Sequence, residues 1–322
     1  MFSKKIEGKK VELIVVDPGK HTTKAIRTDM NAVDFRTKMF DNTEEIDVHG
    51  NSYSVIYDGK KYIIGEQGDE QSYDVSKTNL LHKLVTYVAI TELADNESII
   101  QLVLNCPVTI YKNKELRDEY KNYIFNNGKF NITVNEIEYY YEFENILVLP
   151  EDYGVVHRYP HLFDDKRVIL VGLGGLNMNF LPIDNFVPDI EKMFTVNHGC
   201  NELETNLVNA LISKLGKHVD HKDAPYILSQ KGVKEKGNIR KDSTLVVEKV
   251  IYDFIGDIIQ EIKRNGHDLD AVDVVFVGGT SGVIQDYIKS VIKHATIVKE
   301  PRWAAIEGSL KVGEIKYGES KA

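Results

Sequence analysis

The sequence predicts an α/β protein of two domains, each built on a mixed sheet, with the second half repeating the plan of the first. Three observations lead there. The chain has 322 residues, enough for two domains of ordinary size. Short apolar runs precede helix-spaced stretches twice, from Val11 and again from Arg167. Each half also opens on a glycine-punctuated hairpin, DPGKHTTKAI at Asp17–Ile26 and VGLGGLNMNF at Val171–Phe180. Glycines there let the chain turn where side chains would clash, and they leave backbone N–H groups to point at an anion. Alone, a strand–Gly-Gly–strand is a common hairpin. As a pair, two such loops facing each other across a cleft would grip a polyphosphate from both sides.

Composition narrows the class. Charged residues make up 28% and apolar ones 42%, as in ordinary globular proteins. A net charge of -9 argues against a general electrostatic grip on nucleic acid, so any DNA contact calls for a local patch or an adaptor. The two cysteines, Cys106 and Cys200, suit a reducing cytosol and have no neighbours at metal-ligand spacing. The start, MFSKKIEGKK, leads into a short strand without a signal-peptide core, and no apolar run approaches the roughly 20 residues that span a bilayer. The expectation is a cytoplasmic, acidic protein without membrane or direct nucleic-acid contact.

In chain order, Val11–Val16 reads as a buried strand, His21–Arg27 as its return, and Ala32–Lys38 as a third strand. Tyr53–Tyr57 and Tyr62–Ile64 flank the turn Asp58-Gly59-Lys60. Thr78–Leu93 has helical spacing, with Leu80, Leu81, Leu84, Val88 and Leu93 on roughly one face. Ile99–Asn105 reads as a strand, Lys112–Phe125 as an amphipathic helix, Phe130–Val134 and Ile137–Phe143 as a hairpin, and Ile146–Leu149 as a separate strand ending at Pro150-Glu151. The pattern restarts at Arg167 with a strand, the second glycine hairpin and extended chain through Phe194. A helix runs from His198-Gly199 to about Leu215, and the polar segment Gly216–Asp242 reads as a small mobile insertion. Ser243–Arg264 is a long helix capped at Asp242 or Ser243 and stopped near Asn265-Gly266. Val272–Val277 is a strand, followed by Gly278–Gly282, a helix to about Lys293, a short strand at Thr296–Val298 and a terminal helix, Arg302–Ile315.

Taken in order, these motifs resemble the actin-like ATPase superfamily, and most closely the ParM-type bacterial actins of plasmid segregation. DPGKHTTK (Asp17–Lys24) looks like the first phosphate loop, LVGLGGLN (Leu170–Asn177) like the second, and VVFVGGTSG (Val274–Gly282) like the adenosine loop. LPEDYGVV (Leu149–Val156) looks like the connection that carries the hydrolytic glutamate, and PRWAAIEG (Pro301–Gly308) like the final helix. The resemblance covers essentially the whole chain. It implies a duplicated actin-like, ribonuclease H-like fold around a nucleotide cleft. Domain I would be residues 1–160 plus 302–322, with a smaller subdomain at roughly 35–100. Domain II would be 161–301, with an insertion at roughly 216–242.

The resemblance also implies roles. Asp17 would support the nucleotide's Mg²⁺ through water, as suits a cation that sheds its hydration reluctantly; the bland alternative is an Asp-Pro-Gly turn. Gly19, Lys20, His21 and Thr22 would present backbone N–H groups to the phosphates, and Lys24 would add a point charge. Lys20 and His21 stand where the family often has small residues. Glu151 would orient or polarise the attacking water; its alternative is a helix N-terminal glutamate. Gly174, Gly175, Leu176 and Asn177 would receive phosphate, while Gly278, Gly279 and Thr280 would pack against base and ribose. Glu202 and Glu204 are candidates for a hydroxyl contact, or else a solvated helix face. Trp303 and the stripe Leu80, Leu84 and Val88 read as packing, and Tyr139–Tyr141 as half-buried sheet or a surface for a neighbouring subunit.

One position departs from the family pattern. The second loop usually carries an Asp just before the residue that precedes Gly-Gly, and here that place is Gly172. Asn179 and Asp184 are the candidates to compensate. Nucleotide binding rests on many backbone contacts, whereas hydrolysis depends on metal placement and electrostatics and is more exposed to the loss. The leading expectation is a filament-forming protein that binds ATP or GTP with Mg²⁺, self-assembles head to tail, and moves plasmid DNA through a DNA-bound adaptor protein at a centromere-like site. The alternatives are a nucleotide-gated structural filament with little hydrolysis, and a small-molecule kinase of the same superfamily.

Overall fold

The computed structural model describes residues 4–6, 8–72, 76–216 and 218–318. The chain forms two compact units, Met1–Tyr159 with Ala305–Ala322, and Pro160–Ala304. In the first unit the strands are β1 (Lys4–Ile6), β2 (Lys9–Pro18), β3 (Thr22–Arg27), β4 (Ala32–Arg36), β5 (Met39–Asp41), β6 (Ser52–Tyr57), β7 (Lys60–Gly65), β8 (Ile99–Cys106), β9 (Lys129–Val134) and β10 (Ile137–Pro150). Its helices are α1 (Leu80–Leu93), α2 (Val108–Lys112), α3 (Lys114–Phe125) and α4 (Gly154–Arg158), joined by most of a terminal helix, Ala304–Gly318. The strands form one sheet in the order β4-β3-β2-β8-β10-β9-β6-β7-β5, with β1 paired to β2.

Every residue of β8 is buried, because it lies between two parallel neighbours, β2 and β10. A strand covered on both faces reads as a continuous apolar run rather than an alternation. Helix α1 behaves the same way. Its spacing suggests one apolar face, yet it is buried nearly all round, packed on β2, β3 and β4 and also touching α3 and β9. Its polar residues are accommodated locally: the Thr86 hydroxyl donates to the His82 carbonyl, and the Lys83 ammonium lies 4.0 Å from the centre of the Tyr123 ring. Ile14, Val16, Leu84, Val88, Leu102, Leu104, Ile146 and Val148 share the resulting core.

Two sequence expectations change in this unit. Ile137–Phe143 and Ile146–Leu149 are one strand, β10, antiparallel to β9 in its first half and parallel to β8 in its second. A bulge between Phe143 and Asn145 absorbs the polar Glu144-Asn145 pair that looks like a break. The segment expected as a smaller subdomain also divides. β5, β6 and β7 extend one edge of the sheet, whereas α1 packs on β2, β3 and β4. The aromatic run on β10 alternates as expected, with Tyr141 buried and Tyr140 exposed.

The second unit contains β11 (Arg167–Leu173), β12 (Met178–Asp184), β13 (Val187–Pro188), β14 (Phe194–Val196), β15 (Lys234–Glu235), β16 (Asn238–Ile239), β17 (Asp273–Val277) and β18 (Thr296–Ile297). Its helices are α5 (Cys200–Leu215), α6 (Ala224–Gln230), α7 (Lys241–Arg264), α8 (Gly279–Val283) and α9 (Gln285–Val291); the terminal helix is α10. The main sheet runs β13-β12-β11-β17-β18, with β14 on β12. An antiparallel series joined to two parallel strands is also the arrangement of β4-β3-β2-β8-β10, so the duplicated plan is present in the strand order. Helices α5 and α7 pack together over this sheet, and Leu203, Leu207, Leu211, Phe254 and Ile258 meet Val171, Phe180 and Phe276.

The polar stretch read as a loose insertion is structured. Helix α6 and the β15–β16 hairpin occupy it, and Val219, Ala224, Ile227 and Leu228 join the core. Helix α7 starts at Lys241, two residues before the expected Ser243, with Arg240 in the cap position, and Asp242 pairs with the Arg240 guanidinium. The expected loop Gly278–Gly282 is itself largely helical, as α8, and the helix expected after it is the short α9, the two broken at Ile284, which is fully buried.

Candidate functional site

In the first unit, β2 ends on Asp17-Pro18 and the chain returns through Gly19–His21 into β3, setting Asp17 opposite Lys24. The turn is tied from several sides. Gly19 N–H donates to the Asp17 carbonyl at 2.9 Å, the Thr37 hydroxyl donates to the Gly19 carbonyl, and Thr37 N–H donates to the His21 carbonyl at 3.1 Å. His21 Nδ1 lies 2.9 Å from Thr22 Oγ1. A Cβ on residue 19 would come within 2.7 Å of the Thr22 carbonyl oxygen, so the close approach itself requires glycine.

Lys24 Nζ lies 3.2 Å from Asp17 Oδ2, with both side chains largely withdrawn from solvent. The other carboxylate oxygen, Asp17 Oδ1, is buried and among the described residues has no hydrogen-bond partner. A buried carboxylate oxygen without a donor is costly. A hydrated Mg²⁺ would supply the missing donors, since this ion keeps several of its waters. Asp17 therefore fits a cation held through water, which when bound would place positive charge beside the phosphate oxygens.

Glu151 follows the last residue of β10, and its N–H donates to the Cys106 carbonyl at 2.8 Å. Because β2, β8 and β10 are mutually parallel, Asp17, Asn105-Cys106 and Glu151 lie at the same edge of the sheet. With strands about 4.8 Å apart, β2 and β10 are roughly 10 Å from each other. Open α/β sheets take ligands at such carboxyl ends. The chain beyond Glu151 is held by contact with α10. A Cβ at Gly154 would lie 2.0 Å from the Ala305 carbonyl oxygen, one at Gly308 would lie 1.7 Å from that of Gly154, and Arg158 Nε donates to Glu307 Oε2 at 2.6 Å. The motif LPEDYGVV thus meets the Ala305–Gly308 half of PRWAAIEG.

Three residues at this edge carry no signal in the sequence reading. Lys77 Nζ donates to Glu151 Oε1 at 2.7 Å. Asn105 Nδ2 and Tyr120 OH are buried without partners among the described residues. Burial pushes the Tyr120 phenol well above its ordinary range, and the carboxylates of Glu151 and Asp17 add to the effect. Asn105 could have been found by the logic applied to Asp17, a polar side chain closing a wholly apolar strand. Lys77 and Tyr120 could not, because a lysine before a helix and a tyrosine within one are ordinary.

In the second unit the β11–β12 hairpin turns through Gly174–Asn177, with Gly174 N–H donating to the Asn177 carbonyl at 2.9 Å. The loop carbonyls point inward. That of Gly174 accepts from Cys200 N–H and the Thr280 hydroxyl, and that of Gly175 accepts from Asn201 N–H. In a trans peptide the N–H lies opposite the C=O. The N–H groups of Gly175 and Leu176 therefore point away from α5, as an anion site requires. The amino end of α5 is capped by the loop itself. Gly199 permits this approach, since a Cβ there would lie 2.5 Å from the Leu176 carbonyl carbon. Gly278, with a φ of 96°, permits the neighbouring one, where a Cβ would lie 2.2 Å from the Leu173 carbonyl oxygen.

The other candidates cluster around this loop. Thr280 is buried, and its hydroxyl is committed to Gly174 rather than presented outward, so its place is beneath the loop. Glu202 accepts from His198 Nδ1 at 2.7 Å, and Glu204 accepts from Cys200 Sγ at 3.3 Å. Burial pushes the Cys200 thiol up to about 12, and Glu204 adds to the rise. Gly172 pairs with Asn179 across the hairpin. Asn179 is buried, and its Oδ1 accepts from the Thr195 hydroxyl at 2.8 Å. Asp184 pairs with Arg167, five residues from Gly172 and so about 17 Å along the strand, which removes it as a substitute for the missing carboxylate.

Each unit is thus an α/β body whose glycine hairpin leads off a buried parallel-sheet strand. Comparison with known proteins identifies the class. A family model described as actin like proteins N terminal domain matches residues 16–154. Among solved structures the chain is similar to the protein of the Alp12 filament structure, with 33% identity, 95% of this chain and 99% of that chain covered, and a TM-score of 0.72. It also shares its fold with Ta0583, an archaeal actin homolog in complex with ADP, at 18% identity, 94% and 99% coverage and a TM-score of 0.76. The same holds for a 15-stranded ParM filament from Clostridium botulinum, at 16% identity, 94% and 99% coverage and a TM-score of 0.73. No curated protein matches. The chain belongs to the actin-like proteins.

Proposed function

We propose that this protein is a nucleotide-dependent filament former that binds ATP or GTP with Mg²⁺, assembles head to tail, and moves plasmid DNA through a DNA-bound adaptor. The observation that carries the nucleotide reading is Asp17, half-buried at the mouth of the glycine turn, with one carboxylate oxygen beside Lys24 and the other buried without a partner among the described residues. In this reading Lys24 and the turn amides take phosphate oxygens, and Glu151 orients the attacking water. Assembly is supported by the likeness to the Alp12 filament protein over nearly the whole chain. The net charge of -9 supports an adaptor between filament and DNA rather than direct contact. Head-to-tail contacts that do not close generate helical filaments.

The test is light scattering and phosphate release recorded together, with Mg²⁺ and ATP, GTP or a non-hydrolysable analogue. Scattering that rises with nucleotide, followed by phosphate release and decay, is the expected result. A chain that stays monomeric with every nucleotide overturns the filament reading. One observation favours a second reading, a filament that is stable because it hydrolyses little. Gly172 brings no carboxylate to the second loop, and its cross-strand neighbour Asn179 is a neutral amide. Scattering that persists without phosphate release would select that reading.

A further inference from the structure

Lys77 is among the most buried large side chains of the protein, at 1% exposure, although lysine is almost never fully buried unless it is paired. Its ammonium donates to Glu151 Oε1 at 2.7 Å, and the Glu151 side chain is itself only 16% exposed. Withdrawing two opposite charges from water is a poor route to stability, because an apolar pair of similar volume does as well or better. The backbone of Lys77 also adopts a φ of 54°, a left-handed conformation that costs a residue with a side chain and persists only where surrounding contacts enforce it. A buried lysine, held in a left-handed backbone conformation and delivered to one carboxylate, is an arrangement for placing that carboxylate.

We infer that Lys77 is a positioning residue for Glu151, holding the carboxylate fixed in one rotamer so that it orients the water attacking the terminal phosphate. The inference rests on the proposed hydrolytic role of Glu151. Glu151 has two anchors. Its own N–H donates to the Cys106 carbonyl and fixes the backbone, while Lys77 fixes the end of the side chain. Lys77 lies only two residues before the Asn79 cap of α1, whose side chain accepts from His82 N–H, so the buried helix supports the lysine. Misplacement of a reacting group by about 1 Å can cost roughly 100-fold in rate.

The experiment measures phosphate release in a single turnover and nucleotide affinity by titration, both with Mg²⁺, on the full chain and its K77M, K77Q, K77R, E151Q and K77M/E151Q variants. E151Q slows release by about 10²–10⁴-fold. K77M slows it by about 100-fold while nucleotide affinity stays within about twofold of the parent. K77R recovers most of the rate, and K77Q, which leaves Glu151 a hydrogen bond and so is the easier variant to fold, falls between. K77M added to E151Q slows release no further, because a residue that acts only through Glu151 has nothing left to position. Parent rates in both K77M and K77Q, or a double variant slowed by the product of the two single effects, overturn the inference and leave the role of Glu151 standing. Parent rates in E151Q, or no release by the parent chain, overturn that role and the inference with it.

Discussion

Asp17 divides its two carboxylate oxygens between a cation already present in the protein and a partner that the chain does not supply. Lys24 takes Oδ2, and no described residue takes Oδ1. If hydrated Mg²⁺ is that partner, the substitution D17N removes the charge while keeping the shape. Hydrogen bonds to charged groups contribute about 1.5–3 kcal/mol. The gain in nucleotide affinity that Mg²⁺ gives the parent should therefore shrink by about 10- to 100-fold in D17N, whereas affinity without Mg²⁺ changes little. Titration of a fluorescent nucleotide with Mg²⁺ and with EDTA measures both, and an equal loss in the two conditions would count against the assignment. His157 makes a separate point about acid. Burial, and then the charge of Lys311, hold its imidazole below the ordinary value of about 6.5. A group depressed in the folded state contributes stability that is present above its unfolded pKa and is lost as pH falls through the folded value. His267, depressed chiefly by burial, acts in the same direction. The melting temperature should fall between pH 7.5 and 5.5, and the pair H157N/H267N should flatten that slope; an unchanged slope would place the sensitivity elsewhere.

At the scale of elements, the second loop is held to α5 and α8 by three hydrogen bonds to the carbonyls of Gly174 and Gly175. Thr280 supplies the one side-chain bond among them. T280V keeps the volume and removes the donor, which should cost about 1 kcal/mol or somewhat more. That corresponds to roughly 2–4 °C in a unit of this size. Nucleotide affinity should fall as well if the loop amides receive phosphate. A melt and a titration on the same preparation separate a packing role from a binding one, and lost stability with intact affinity would confine Thr280 to packing. The elements themselves were legible where one physical cause dominates. The continuous apolar runs of β8 and β11, the Asp58-Gly59 turn and the two glycine hairpins all read directly from residue type, and so did the α/β class. The failures have causes of another kind. Helix α1 shows one face in its spacing but is covered on all sides, because its hydroxyls bond to its own carbonyls and Lys83 lies over Tyr123. β10 is continuous through a polar pair that a bulge absorbs. The segment around α6 is polar in composition, yet its few apolar residues suffice to dock it. At the site, Asp17 and the glycines were legible through backbone demands. Lys77 was not, since its significance lies in a partner 74 residues away.

At the scale of the whole molecule, the open matter is what this member of the actin-like proteins does without a carboxylate at position 172. The position is buried on β11, flanked by Asn179 on β12 and Val277 on β17, and neither neighbour carries charge. An aspartate placed there would be withdrawn from water with a side-chain amide as its nearest polar neighbour, and an uncompensated buried charge is strongly unfavourable. G172D should therefore lower the melting temperature of the nucleotide-free protein. If position 172 faces the metal–phosphate region, Mg²⁺ and nucleotide should restore more stability to G172D than they give the parent, because a ligand that favours the folded state stabilises in proportion to its affinity. Phosphate release should then quicken in G172D, and filaments followed by scattering should decay sooner, since hydrolysis becomes the limiting event in their lifetime. A variant destabilised equally with and without Mg²⁺-nucleotide would show that position 172 serves packing alone. Quicker release with unchanged filament lifetime would separate hydrolysis from disassembly and leave assembly governed by nucleotide binding.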